Sequence, residues 1–188
     1  MTRGDEAGAR TALLRASGLL AGPVPPEGNG WYGRAFVIHW SLMQAGLTDQ
    51  AQTFARRGMF EADGTRWIDG KQALARGDES AALQIFERIR ATWGSPRFLV
   101  VAEDMAEIYE RRGDLNAAEA VLLENEPWRT TMYPNAGSFG YLWLRLQGQL
   151  LGIERRMGHQ DRADQVAREL RQMLQAADSD FGLLRGLD

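Results

Sequence analysis

Few side chains in this 188-residue chain are suited to making or breaking bonds, and their spacing limits what they could do. There are two histidines, His39 and His159, and no cysteine, so disulfides and cysteine-bearing metal sites are excluded. His39 falls on a helical stretch and His159 beside the turn glycine Gly158, where structural or solvated roles are expected. Glu103, Glu107 and Glu110 are spaced as a carboxylate stripe on one helix, which permits acid–base or metal chemistry. No histidine stands at a comparable spacing, and Arg111 and Arg112 are at hand to neutralise the stripe. The expectation is a solvated, salt-bridged helix face. Asp63-Gly64 and Asp69-Gly70 lack the spaced acidic ligands of a calcium loop. Nucleophile-elbow, phosphate-loop, zinc-protease and dinucleotide glycine patterns are absent. No catalytic residue, metal ligand or cofactor is assigned, and an enzyme is not expected.

What the chain does repeat is a turn. Arg3-Gly4-Asp5, Arg76-Gly77-Asp78 and Arg112-Gly113-Asp114 each lie between stretches of helical character. Five residues after each glycine stands Ala9, Ala82 or Ala118, and nine after it Leu13, Phe86 or Leu122. Gly46 with Ala51 and Gly158 with Ala163 keep the first offset. The tripeptide resembles an adhesion motif, but its fixed place in the repeat gives glycine and aspartate helix-ending and helix-capping roles instead. One supersecondary unit is therefore used several times over.

Bulk properties agree with a repeat array. A net charge of −3 lacks the basic footprint of a nucleic-acid binder. Lys71 is the only lysine, which fits a GC-rich bacterial genome. The polar stretch Met1 to Arg10 is not expected to act as a signal peptide or lipidation site, and no apolar run is long enough to span a bilayer. A cytoplasmic location is expected, with no membrane partner.

Spacings of three and four place an amphipathic helix over Arg97–Arg112, through Phe98, Val101, Met105, Ile108 and Tyr109. After Gly113-Asp114 a second helix covers Leu115–Glu124. The same reading pairs Trp31–Ala45 with Thr48–Arg57, Thr65–Arg76 with Glu79–Ala91, and Gly140–Met157 with Gln160–Ala177. The hairpins thus occupy 31–58, 65–91, 97–124 and 140–177 of a single domain, 1–188. Residues 1–20 form a half-unit or cap helix, 126–138 an inserted loop packed on the array, and 178–188 a tail. The predicted fold is all-α.

Ala106, Tyr109, Ala118 and Leu122 in one unit, and Trp67, Gly70, Ala82 and Phe86 in another, resemble the tetratricopeptide repeat family. Ala73 replaces the family tyrosine, and Leu151-Gly152 sits one residue out of phase with the family pair. The resemblance implies a right-handed superhelical array of antiparallel helical hairpins. The half-unit and the tail point to the C-terminal or regulatory part of a bacterial multidomain protein.

On that resemblance the chain is expected to be a protein–protein interaction scaffold holding a peptide or partner helix in a concave groove. First helices line such a groove. In the first two units they offer Phe36, Trp40, Met43, Trp67 and Lys71; in the last two, Glu103, Glu107, Arg145 and Arg155. Trp40 and Trp67 are the expected aromatic anchors. The alternative is a ligand-sensing regulatory domain that takes a small molecule in the concave pocket and controls a fused effector.

Overall fold

The computed structural model describes residues 6–19, 38–55, 62–93, 98–125, 137–177 and 187. Among them all regular structure is helical, with no strand. The chain divides into two compact units, residues 3–72 and 73–188, apart from the two N-terminal residues.

The first unit contains α1 (Glu6–Leu19), a helical stretch over 38–44 (α2), α3 (Thr48–Ala55) and most of α4 (Ala62–Ala75). Ala9, Leu13 and Ala16, the inward residues expected of a half-unit, are half-buried on α1. Arg10 donates from Nη1 to the carbonyl of Ala45 at 2.9 Å, satisfying an orphan acceptor at the end of α2.

The second unit holds α5 (Glu79–Trp93), α6 (Phe98–Arg111), α7 (Leu115–Leu123), α8 (Gly137–Met157) and α9 (Gln160–Met173). α8 starts at Gly137, so it takes in the last two residues assigned to the inserted loop; 126–136 lie outside the described residues. α9 is shorter than expected, ending where Leu174 turns its amide onto the Leu170 carbonyl. α6 packs on α5, α7 and α8, and α8 on α6, α7 and α9. Each helix therefore needs more than one apolar stripe. On α6, Leu99, Ala102, Met105 and Ala106 are all buried, as are Val101 and Ile108.

The repeated turn has one geometry at all four described sites. Gly46, Gly77, Gly113 and Gly158 have φ of 69°, 79°, 76° and 78°. This left-handed region is costly for any residue with a Cβ. Each glycine amide returns to the carbonyl three residues back. The next amide returns five back: Leu47 to Leu42, Asp78 to Ala73, Asp114 to Tyr109 and His159 to Glu154. This double closure is a Schellman motif with glycine at its left-handed position.

The residue after the glycine then begins the next helix. Its carbonyl accepts the amide four residues on: Ala51, Ala82, Ala118 or Ala163. The offset of five is thus one step out of the old helix and one turn into the new. That alanine is at most 1% exposed in every copy. Asp78 and Asp114 also accept the amides of Ala81 and Ala117 on Oδ1, each at 3.0 Å, as capping aspartates do.

Candidate functional site

The groove residues divide into three groups. Phe36 lies outside the described residues. Trp40 is 7% exposed, Met43 9% and Trp67 2%, so all three belong to the core of the first unit. Trp67 meets the buried His39 edge-to-face, with ring centroids 5.2 Å apart. This corrects the expectation that Trp40 and Trp67 present aromatic faces to a partner. At helical spacing both indoles fall on the inward stripe, where their apolar area stabilises packing. His39 is itself 1% exposed. Its burial pushes the imidazole down to about 4, so it is neutral near neutral pH.

Charged candidates make up the other groups. Lys71 is half-exposed on α4 in the first unit. In the second unit Glu103 and Arg145 are brought together: Arg145 donates from Nε to Glu103 Oε1 at 2.8 Å and again from Nη2. The same guanidinium lies 5.9 Å above the Tyr141 ring. Glu107 is exposed and pairs along its own helix with Arg111 at 2.9 Å. Arg155 is exposed and reaches the carbonyl of the buried Leu187 at 3.5 Å. Glu103 and Arg145 therefore neutralise each other, whereas Glu107 and Arg155 stand at the surface.

These pairs belong to a wider set that joins successive hairpins. Glu79 of α5 accepts from Arg111 at 2.7 Å and Arg112 at 3.2 Å. Those bonds, Arg111 first, hold its carboxyl below the ordinary range. Arg90 bonds Glu124 at 3.0 Å, and Glu110 takes Gln149 at 2.8 Å and also Arg156. Exposed pairs of this kind contribute little stability singly. The carboxylate stripe is accordingly salt-bridged, as its sequence implied.

A cluster that the sequence reading missed joins the middle of α7 to the end of α8 and the start of α9. Glu154 is fully buried. Its Oε2 lies 2.9 Å from His159 Nδ1, and its Oε1 lies 3.1 Å from Arg162 Nε. Glu119 of α7 accepts from Arg162 Nη1 at 2.8 Å, with His159 Nδ1 at 4.0 Å. Burial holds the Glu154 carboxyl above the ordinary range; His159 and Arg162 oppose the shift and Glu119 adds to it. Among the described residues Glu119, Glu154 and His159 are the group whose ligand atoms could meet on one ion, all within 4.8 Å. Arg162 already spans both carboxylates and supplies a cation there. The sequence signal was present but comparative: Glu154 stands where the other turns carry Leu42, Ala73 and Tyr109.

No family model, curated protein or solved structure matches the chain. No described helix is long and apolar enough to cross a membrane.

Proposed function

We propose that the chain is a tetratricopeptide-like module of superhelically stacked hairpins. It recognises a peptide or partner helix on the surface made by its first helices. Repetition carries this reading: four turns of one geometry, each followed by a buried alanine at the same step. An array of this kind spends its apolar side chains on stacking and leaves an extended face for recognition. The burial of Trp40 and Trp67 moves recognition from aromatic anchors to exposed charge. In the second unit that charge is of both signs, Glu107 on α6 and Arg155 on α8, flanked by the Glu103–Arg145 pair and Tyr141. The complement is a peptide of mixed charge.

Position-specific photo-cross-linking tests this. A photoreactive residue at position 107 or 155 is expected to capture a discrete adduct in the native host cell. The exposed Gln165 on α9 serves as the control and should capture none. Adducts formed equally at 165, or at none of the three positions, would remove the first-helix face from the reading.

A further inference from the structure

The fourth turn departs chemically from its siblings at two positions, and the two departures face each other. The carbonyl that closes the first helix belongs to Leu42, Ala73 and Tyr109 in the earlier turns and to Glu154 in the last. The residue that opens the second helix is Leu47, Asp78 or Asp114 in the earlier turns and His159 in the last. Asp78 and Asp114 cap the helix they open. His159 makes no side-chain cap and instead turns back onto Glu154 at 2.9 Å.

The charges around Glu154 do not balance. α7 contributes Glu119, α9 contributes Arg162, and the turn contributes His159. On its own helix, Arg155 and Arg156 are directed to Leu187 and Glu110. Two carboxylates against one guanidinium leave one negative charge in excess, shared by a side chain with no exposed surface. Buried charge in excess is costly, and proteins commonly relieve it by binding a proton. His159 is 46% exposed on its side chain, which gives that proton a route to and from solvent.

We propose that Glu119, Glu154, His159 and Arg162 form a proton-operated clasp that fastens the last hairpin to the one before it. With one proton bound at Glu154 the cluster is neutral and α9 is held on α7 and α8. Loss of the proton restores the excess charge and loosens α9. The raised carboxyl of Glu154 gives the same sign. A group whose folded value is raised stabilises the fold below its ordinary range, and that contribution is lost as pH rises through the raised value.

Native-state hydrogen exchange on the full chain tests the clasp. Protection factors for α9 amides should fall relative to those of α6 as pH rises from about 4 to about 8, by up to roughly tenfold per pH unit within the titration window. In Glu154→Gln, which keeps the shape but cannot ionise, the fall in the ratio of α9 to α6 protection should be clearly smaller. A flat ratio in the natural chain, or an unchanged slope in Glu154→Gln, overturns the proposal. Should that variant fail to fold, the α9 to α6 ratio in the natural chain still decides. Zinc ions added near neutral pH provide a further arm. If they restore α9 protection and His159→Ala abolishes that effect, the cluster is a metal site and the proton reading is overturned.

Discussion

Asp114 positions Ala118. The Asp114 amide closes α6 on the Tyr109 carbonyl at 2.9 Å, and the Asp114 carbonyl receives the Ala118 amide at 3.1 Å. One residue thus ends a helix, begins another and sets the small side chain that lets the two come together. The same relation joins Asp78 to Ala82, His159 to Ala163 and Leu47 to Ala51.

Ala118→Leu should overpack this crossing, because Ala118 has no exposed surface. The expected cost is about 1–3 kcal/mol. Urea unfolding reads it as a lower midpoint, with Ala120→Leu, at an exposed position of the same helix, as the near-silent control. Equal midpoints for the two variants would refute the inward placement of Ala118.

Glycine substitutions should split in sign. At Gly113 an added Cβ meets no neighbouring atom, yet φ is +76°, so Gly113→Ala is strained by the backbone alone and should cost about 1 kcal/mol. Gly152 lies inside α8 with helical backbone and open space around its missing Cβ, so Gly152→Ala should stabilise by up to about 1 kcal/mol. Thermal unfolding of the two variants should move in opposite directions.

His39 makes the first unit sensitive to acid. The unfolded imidazole takes up a proton near its ordinary value of 6.5, whereas the folded one resists until about 4. Its contribution is complete above 6.5 and is lost as pH falls toward 4, at no more than about 1.4 kcal/mol per pH unit. The sign is opposite to that of Glu154. His39→Leu should flatten the acid limb of the stability profile measured by denaturant titration at stepped pH.

Trp67→Ala should damage the fold rather than a binding surface. A buried indole replaced by alanine costs about 3–5 kcal/mol, and Trp67 is 2% exposed. Circular dichroism should show lost helicity or a strongly lowered melting point. Unchanged stability would return Trp67 to the groove.

The turns were legible because their chemistry is local. Glycine at positive φ, aspartate at a cap and alanine one turn later are each explained within six residues. Helix limits came within a few residues, as at α6, expected over 97–112 and found as Phe98–Arg111. The tryptophans were misjudged because an indole on a first helix suits a groove and a core equally, and only the surrounding helices decide. Glu154 was missed for a related reason. Its partner Glu119 lies on the preceding hairpin, so nothing within one turn of Glu154 announces a buried charge.

The helix contacts of residues 73–188 also bear on the speed of folding. The main packing partners are consecutive helices or next-but-one, and the arginine–carboxylate links between hairpins join residues 32 to 46 positions apart. No large loop has to be closed before the first native contacts are gained, and low contact order favours rapid formation. The third hairpin can form early and offer its neighbours a template. Fragments truncated by a stop codon after α7 should accordingly show helical circular dichroism without the last hairpin.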